Sequence, residues 1–537
     1  MLFSDLWEQY HIVQQSLAPL RLTRGQMLLM MFQARHRNAS LPERIVVWVL
    51  FLWSIYSVCK VAVAITKPKP VYSLGLPILG DSQAANCDLM KVITDARLST
   101  PNAPYIIKTD QFPLVVFPSY MYEEIKKLPL QTASLPAYLS RKFFAPYTLI
   151  GRETTALLHS IKIDIARSLP TMAPSRQIDA QQAVKERVGT CSDWTEMEIF
   201  PAVLEMISTV NASFFMGREN PEMTRQWSHL SLEFIYRALM GAVAMSYVPE
   251  LLQFAIAPIA FLPVIVTQWK MRRFLGPTLR AEMNQFRAAE SKKRLLTVSE
   301  DRKVPFTAAL MSRYKPEDVT VRRLADDYTV LAFLTNFAVA VATHLNILDL
   351  ASRSELVEEL RQELREKTVD GALPKSHLAE LRKLDSFMRE SLRLNAMSLF
   401  VLNRIIQSPT KLSIGPSLPA GTAICVDMHH INRSVELWGT PDEFDPLRHD
   451  KLRQEEGAEK FQFVAMGPES PLWGDGAMSC PGRLFANSTM KVVLIALIMQ
   501  YDFKFAEGSG KSAKAAVPEG SWDPDLKARL VLRDRKV

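Results

Sequence analysis

The segment from Phe461 to Gln500 is the part of the sequence that most restricts how the chain can fold. It reads FQFVAMGPESPLWGDGAMSCPGRLFANSTMKVVLIALIMQ, a loop with one cysteine, Cys480, followed by an apolar run that favours a helix. Gly474 and Gly476 permit the backbone angles of a tight turn, which residues with a Cβ atom disfavour. The pattern therefore predicts a rigid loop that holds Cys480 just before a helix N-terminus.

A cysteine in this position is suited to binding a metal as a thiolate. The partial positive charge of a helix N-terminus and its free N–H groups favour the thiolate over the thiol. A thiolate in a glycine-bounded loop can serve as the axial ligand of a haem iron, where its electron donation favours cleavage of an O–O bond. Because a cysteine without such surroundings is usually an inert buried thiol, the assignment of Cys480 depends on its neighbours.

Composition, charge and cysteine count exclude several classes of protein. The 537 residues are 48% hydrophobic and 22% charged, which is not the composition of a disordered, collagen-like or fully membrane-embedded chain. The formal net charge of +8 is spread along the sequence, so a nucleic-acid partner is not expected. The five cysteines form no CxxC pair, which argues against a disulfide framework or a zinc module and favours a reducing compartment.

An apolar stretch near the N-terminus predicts a membrane anchor. Residues 45–66 read IVVWVLFLWSIYSVCKVAVAIT, close to the about 20 residues that a helix needs to cross a bilayer. We expect an N-terminal extension over 1–44, a transmembrane helix over 45–66, a Pro-rich linker over 67–80 and a catalytic domain over 81–537. A buried core helix is the alternative, and the Pro-rich break after the stretch makes it the weaker one.

Apolar residues at three- and four-residue spacing dominate the rest of the chain. They predict helices over 153–169, 224–246, 320–350, 354–366 and 376–394. Short runs rich in β-branched residues predict strands over 113–117, 399–406 and 422–427. The predicted fold class is mainly α with small β-sheets.

The run WGDGAMSCPGRLFA, which begins at Trp473, resembles the haem-binding loop of the cytochromes P450. Three further motifs of that family occur in the family's order: FMRESLRL with Glu390 and Arg393, FVLNRII with Arg404, and PDEFDPLRH with Arg448. From about residue 70 to 510 the chain is similar to microsomal P450s of fungal secondary metabolism. The resemblance implies the P450 fold, preceded here by the predicted transmembrane helix.

The resemblance also implies a role for each motif. Cys480 is expected to bind the iron of haem b axially and so to be the catalytic and metal-binding residue. Further residues of the loop and of one strand are expected to contact the haem: Arg404, Trp473, Gly474, Gly476 and Gly482. Glu390, Arg393 and Arg448 are expected to form a structural ion network.

An ExxR pair is weak evidence without its place in the chain. Glu358 and Arg361 also satisfy the pattern, and a Glu–Arg pair at i,i+3 is usually a solvated pair that contributes about 0.2–0.5 kcal/mol. Glu390 is followed by Arg404 in the order of the family, and apolar residues such as Leu384 place its helix against the core. We therefore expect Glu390 to be the structural acid.

The adjacent histidines His429 and His430 are a possible metal motif. Neighbouring side chains on a strand point to opposite faces of the sheet. If the strand that begins at residue 422 continues through them, the two imidazoles cannot bind one ion together. We therefore do not expect a metal site there.

The chain departs from the family at the distal side of the haem. The resemblance implies a distal helix with an acid or amide beside a threonine, which together deliver protons to dioxygen. In the matching helix, DDYTVLAFLTNFAVAVATHLNILDLA, the threonine position falls on Ala338 or Val339, and neither can donate a proton. Thr335, Thr343, a water or a substrate hydroxyl are the candidates to replace it.

Two more expectations concern the residues around the haem. We expect Phe337, Ala338 and Val339, together with residues 397–400, to form the walls of the distal pocket. Met478 stands two residues before the cysteine, where the family often has an arginine or histidine that pairs with a haem propionate. The chain therefore lacks one of the usual propionate partners.

The resemblance implies a membrane-anchored haem-thiolate monooxygenase that acts on an apolar natural product of terpenoid or polyketide type. No GxGxxG follows a predicted strand, so electrons are expected from a separate NADPH–cytochrome P450 reductase. The expected location is single-pass in the endoplasmic reticulum membrane. Two alternatives stay open: a haem-thiolate isomerase, dehydratase or cyclase that inserts no oxygen, and a non-catalytic membrane-anchored binding protein on a P450 fold.

Overall fold

The computed structural model describes residues 71–81, 89–109, 111–291, 306–368, 377–456, 459–510, 516–517, 521–522 and 525–535. The predicted extension over 1–44 and the predicted anchor over 45–66 lie outside the described residues. Contacts divide the chain into a large unit of residues 69–249 and 256–537 and a small unit of residues 1–68 and 250–255. The large unit contains the sheets and all the elements of the site.

Helices make up most of the described chain. Their bounds are α1 Leu89–Ser99, α2 Tyr122–Lys126, α3 Leu135–Lys142, α4 Ala145–Thr148, α5 Thr155–His159, α6 Ala166–Val188, α7 Ile199–Met216, α8 Pro221–Ser246, α9 Glu250–Ala260, α10 Leu262–Ser291, α11 Phe306–Ser312, α12 Val321–Ala351, α13 Ser354–Lys367, α14 Arg382–Leu394, α15 Met428–Asn432, α16 Val435–Trp438, α17 Arg448–Glu456 and α18 Arg483–Gln500. A π-helical segment, Ser160–Ile165, joins α5 to α6.

The strands form one larger mixed sheet and two small sheets. Their bounds are β1 Ile78–Asp81, β2 Tyr105–Lys108, β3 Pro113–Phe117, β4 Ala133–Ser134, β5 Thr195–Glu198, β6 Phe400–Ile406, β7 Ala423–Asp427, β8 Tyr501–Phe505, β9 Ala516–Val517, β10 Ser521–Trp522 and β11 Arg529–Asp534. The strand orders are β1-β2-β3-β7-β6-β4, β10-β9 and β5-β11-β8. In the larger sheet β7 pairs in parallel with β3 and antiparallel with β6.

The predicted elements agree with the observed ones, apart from local differences at two helices. β3, β6 and β7 match the predicted strands to within one residue, α8 and α13 contain the predicted helices, and α12 begins one residue later than predicted. The helix predicted over 376–394 begins only at Arg382, after a 3-10 turn at His377–Ala379. The helix predicted over 153–169 is interrupted by the π-helical segment. The class is mainly α with small sheets, as predicted.

Helices α7, α12 and α18 form the centre of the large unit. Each is long and apolar enough to cross a membrane. Yet 72%, 83% and 72% of their most apolar 18-residue segments, respectively, are buried inside the protein. The apolar residues of α12 and α18 pack into one cluster that includes Val339, Leu345, Val493 and Leu497. Core packing therefore accounts for the apolar composition of these three helices.

The placement of His429 and His430 on a strand was wrong. β7 ends at Asp427, whose side chain accepts a hydrogen bond from the backbone N–H of His430 at 2.9 Å and so caps the short helix α15. A carboxylate at this position satisfies an otherwise unpaired N–H of the first helical turn. His430 Nδ1 lies 3.1 Å from Ser119 Oγ.

Candidate active site

The cysteine loop is held in shape by its own backbone. Gly474 and Gly476 have φ angles of 64° and 66°, in the left-handed region where glycine is favoured. The N–H of Cys480 donates to the carbonyl of Trp473 at 2.7 Å, and the Trp473 indole N–H donates to the carbonyl of Phe463 at 2.7 Å. These bonds fix the cysteine ahead of α18, which begins at Arg483.

The surroundings of Cys480 act in two directions on the pKa of its thiol. Burial raises the pKa of the Cys480 thiol, and the backbone N–H of Gly482 and the charge of Arg483 oppose that rise only in part. A metal ion bound to the sulfur removes the proton outright, because its charge dominates the local field.

A cavity lies between Cys480 and the distal helix α12. It encloses about 740 Å³ of space free of protein atoms, including the part that is open to solvent. Ile161 and Ile165 of the π-helical segment, Trp473 and Phe485 form part of its wall. Apart from the thiol and one threonine hydroxyl, the described lining residues are apolar.

The distal wall consists of one face of α12. Thr335, Ala338, Val339 and Ala342 line the cavity, at the i, i+3, i+4 and i+7 spacing of a single helical face. Thr343 does not line it: this residue is fully buried, and its hydroxyl donates to the carbonyl of Val339 at 2.8 Å. Of the two threonines considered from the sequence, only Thr335 is placed at the cavity.

Phe337 and most of the range 397–400 were expected to line the distal pocket but do not line the cavity. Phe337 lies outside the cavity lining and packs edge-on against Phe200, with ring centroids 6.4 Å apart, because its position on α12 faces away from the lining residues. Within the range 397–400 only Met397 lines the cavity, since β6 begins at Phe400 and its residues belong to the sheet core. Ala338 and Val339 lie on the wall as expected.

Glu390, Arg393 and Arg448 come together in a buried ion network. Arg393 donates to both carboxylate oxygens of Glu390 at 2.8 Å, and Arg448 Nε donates to Glu390 Oε1 at 3.1 Å. Glu390 is fully buried. Burial disfavours its charge, but the hydrogen bonds and the charge of Arg393 outweigh that effect and hold the pKa of Glu390 well below its usual range.

His449 is a member of this network that the sequence analysis missed. Its Nε2 lies 3.3 Å from Glu390 Oε2, and its ring packs edge-on against Trp438. Burial lowers the pKa of His449 to about 4, so the imidazole is neutral near pH 7. Its position directly after Arg448 in the sequence is the signal that could have identified it.

Strand β6 contains a bulge just before Arg404. Val401 pairs with Val426 and Arg404 with Ile424, so β6 has one more residue than β7 between these pairs. Leu402 takes up the irregularity with a φ angle of 54°. A bulge of this kind changes the direction of the side chains that follow it.

The guanidinium of Arg404 fits the anionic edge of a haem. The side chain is 2% exposed, and its Nε and Nη2 have no hydrogen-bond partner among the described residues. Burial lowers the pKa of Arg404 to about 10. A buried arginine with unpaired donors is costly unless an anion satisfies it, and a haem propionate would supply that anion.

Other loop residues expected at the haem take different parts in the site. Trp473 and Gly482 line the cavity, whereas Gly474 and Gly476 lie outside its lining and shape the loop. Met478 accepts the backbone N–H of Leu135 on its sulfur at 3.4 Å, so this side chain anchors the loop to the start of α3. With Cys480 on the cavity wall, these residues fit a haem bound through the sulfur.

Comparison with known proteins gives concordant results. The family model of cytochrome P450 matches residues 178–522. The chain is 41% identical to the cytochrome P450 monooxygenase ffsD of Aspergillus flavipes, over 99% of this chain and 100% of that protein. It is 33% identical to the pyrichalasin C-18 hydroxylase of Pyricularia grisea, over 98% of each. The retinoic acid-bound cyanobacterial CYP120A1 shares the fold, with a TM-score of 0.60 and 17% identity, over 86% of this chain and 100% of that one.

We expect Glu390→Gln to lower the free energy of unfolding by about 3–5 kcal/mol, because it leaves the charges of Arg393 and Arg448 without their carboxylate. The control is Glu358→Gln in the other ExxR pair, where the glutamate is 55% exposed and the expected loss is at most about 0.5 kcal/mol. Urea unfolding of both variants measures the difference. Equal losses would contradict the assignment of Glu390 as the structural acid.

We expect His449 to make the protein less stable as the pH falls from about 6.5 to about 4. The unfolded chain binds a proton near the ordinary histidine pKa of 6.5, whereas the folded protein binds it only near 4, so protonation favours unfolding in this window. The expected slope approaches about 1.4 kcal/mol per pH unit. His449→Phe should remove it, as measured by the difference in unfolding free energy between the two proteins across this pH range.

The buried Asp327 does not obscure this comparison. Burial raises the pKa of Asp327 to about 6, so the folded protein gains stability from its protonation as the pH falls. This effect has the opposite sign and is present in both proteins, and it cancels in the difference. A parallel pH dependence of wild type and variant would show that His449 titrates as freely in the folded protein as in the unfolded chain.

Proposed function

The chain belongs to the cytochrome P450 family, and we propose that it is a haem-thiolate monooxygenase in which Cys480 is the axial ligand of the iron. Its relatives are cytochrome P450 monooxygenases of fungal secondary metabolism. The observation that carries the proposal is the position of Cys480 on the wall of an apolar cavity, opposite the Thr335 face of α12. Haem supplies the oxidising chemistry, and electron donation from the thiolate favours O–O cleavage.

The proposed reaction inserts one oxygen atom into a C–H bond. One atom of O₂ enters the product as a hydroxyl group and the other leaves as water, with two electrons and two protons consumed. The electrons come from NADPH through a separate reductase, which is the general arrangement for monooxygenases of this family. The chain itself positions the substrate and excludes water from the cavity.

The substrate that we propose is an apolar natural product of terpenoid or polyketide type. The cavity walls formed by Ile161, Ile165, Ala338, Val339 and Met397 favour apolar contacts and offer few hydrogen bonds. One relative acts as a pyrichalasin C-18 hydroxylase. The cavity walls support a largely apolar substrate, and the relative supports hydroxylation as the reaction.

A haem-thiolate enzyme that inserts no oxygen is the second candidate. The distal face has Ala338 and Val339 where the threonine is expected, and no carboxylate lines the described part of the cavity. Isomerisation, dehydration or cyclisation of a bound substrate does not require protons to be delivered to dioxygen. The lining of the distal wall is thus the specific observation that favours this candidate.

We propose that the protein is attached to the endoplasmic reticulum membrane by a single helix over residues 45–66. The exposed apolar side chains between residues 247 and 269 support contact with a lipid surface. Tyr247 is 83% exposed and Ile259 74%, while Leu262 and Trp269 are each 56% exposed. Large apolar and aromatic side chains of this kind are suited to the membrane interface. The linker over 67–80 and a catalytic domain from residue 81 complete the proposed organisation.

Oxygen-18 labelling separates the two candidate functions. The purified protein is incubated with reductase, NADPH, ¹⁸O₂ and a set of apolar fungal metabolites that includes the substrate of the pyrichalasin hydroxylase. We expect a product that carries one ¹⁸O atom for each NADPH productively consumed. An unlabelled product formed without consumption of NADPH would support the second candidate instead.

We expect Cys480→Ala to abolish the carbon-monoxide absorption that is typical of a thiolate-ligated ferrous haem, because the variant lacks the sulfur ligand. Cys191→Ala is the matched control, since Cys191 is also a free cysteine but is buried outside the cavity lining. The reduced carbon-monoxide difference spectrum measures both variants. Retention of the thiolate band by Cys480→Ala would refute the ligand assignment.

A further inference from the structure

Buried polar side chains form a continuous path behind the cavity wall. Arg176 on α6 donates from Nη2 to Thr489 Oγ1 at 2.5 Å, and Thr489 Oγ1 lies 3.0 Å from Asn211 Oδ1 on α7. Asn211 Nδ2 then donates to the carbonyl of Thr335 at 2.8 Å and to Asn336 Oδ1 at 3.0 Å. The path connects four helices through a core that is otherwise largely apolar.

The orientation of the Asn211 amide is set by the carbonyl of Thr335, which can only accept a hydrogen bond. A guanidinium can only donate, so Thr489 uses a lone pair to accept from it and keeps its hydroxyl hydrogen for Asn211 Oδ1 or for the carbonyl of Phe485, each 3.0 Å away. Asn211 Nδ2 therefore faces α12, and the Asn211 amide oxygen faces Thr489. If the amide oxygen and nitrogen of Asn211 were exchanged, N–H groups would face Thr489. The amide oxygen would then face two other acceptors, the carbonyl of Thr335 and Oδ1 of Asn336.

No carboxylate in the described part of the chain binds Arg176 directly. It is fully buried, and its Nε and Nη1 have no hydrogen-bond partner among the described residues. The guanidinium carbon lies 4.5 Å from the ring centroid of Phe485 and 5.1 Å from that of Phe214. Phe485 lines the cavity, so the cation is one aromatic ring away from it.

The turn of α12 that Asn211 binds is the turn that faces the cavity. Thr335, Ala338 and Val339 all line the cavity, and Thr335 supplies the only side-chain hydroxyl among the described lining residues. That hydroxyl lies 2.8 Å from the carbonyl of Leu331, within its own helix. A shift of this turn would move the hydroxyl and the two apolar side chains together.

We propose that Asn211, fixed by Arg176 through Thr489, is a positioning residue that holds the Thr335 hydroxyl at the haem cavity, in the place of the acid–threonine pair that the chain lacks. This inference rests on the proposed haem-thiolate function. Asn211 acts through α12 and does not touch the cavity itself. Asn336, which donates to the carbonyl of Ala332 at 2.8 Å, is the second point at which α12 is held.

Carbon monoxide bound to the reduced haem is the probe, because its infrared stretching band responds to hydrogen-bond donors near the ligand. We expect Thr335→Val to shift the band by removing the hydroxyl. We expect Asn211→Leu to shift or broaden it in the wild-type background and to have no further effect in the Thr335→Val background. The matched control is Ser208→Ala: Ser208 lies one turn before Asn211 on α7, and the variant breaks its buried hydrogen bond to Ser228 of α8.

Two outcomes would overturn the proposal. One is an unchanged band in Asn211→Leu, and the other is an equal effect of Asn211→Leu with and without the Thr335 hydroxyl, which would indicate a general structural role. If Asn211→Leu does not fold, Arg176→Met should give the shift or broadening of the carbon-monoxide band that is expected for Asn211→Leu. Arg176→Lys, which keeps a donor-only cation, should retain the wild-type band. An unchanged band in Arg176→Met would then refute the proposed path.

The same samples separate this inference from the proposed function. Absence of the thiolate-type absorption from the wild-type protein would refute the haem-thiolate function itself. Intact absorption together with an infrared band that does not respond to Asn211 or Arg176 would refute the positioning role alone.

Discussion

The buried carboxylate of Glu390 is the interaction on which the rest of the site depends. A charge without solvent contact is tolerated only when its hydrogen-bonding capacity is satisfied. Glu390 meets this condition with Arg393 from its own helix and with Arg448 and the N–H of Asp445 from a distant segment. Because Arg393 could not remain buried without the acid and Arg448 bonds the same carboxylate, the network fixes the start of α17 against α14.

Helix α14 also holds the cysteine loop, through two charged residues beside Glu390. Arg389 donates to the carbonyls of Lys460, Gln462 and Glu469, which precede the loop. Asp385 accepts the N–H of Phe463 at 2.7 Å and pairs with the buried Lys491 of α18 at 2.7 Å. One helix therefore supports the loop at its entrance and at the helix that follows it, so the position of the sulfur depends on buried charges that lie outside the cavity lining.

The sequence predicted well those features that depend on neighbouring residues. Strand β3 matches its prediction at both ends, and the Cys480 loop has the turn that its glycines require. Features set by distant contacts were not predictable in the same way. The direction of Arg404 depends on a bulge at Leu402, and leucine gives no signal for a positive φ angle. The role of Asn211 depends on contact with a helix more than a hundred residues away.

The distal helix shows why the face that a residue occupies matters more than its chemical type. The hydroxyls of Thr329, Thr335 and Thr343 each bond the carbonyl four residues earlier, and Asn336 and Asn346 do the same with their amides. A buried helix can thus carry polar residues that its own backbone satisfies. Such residues need no partner in the cavity, so a threonine on α12 is not evidence of a role at the haem. Thr335 differs from the other two only because its angle on the helix brings it to the cavity, and that angle follows from how α12 packs against its neighbours.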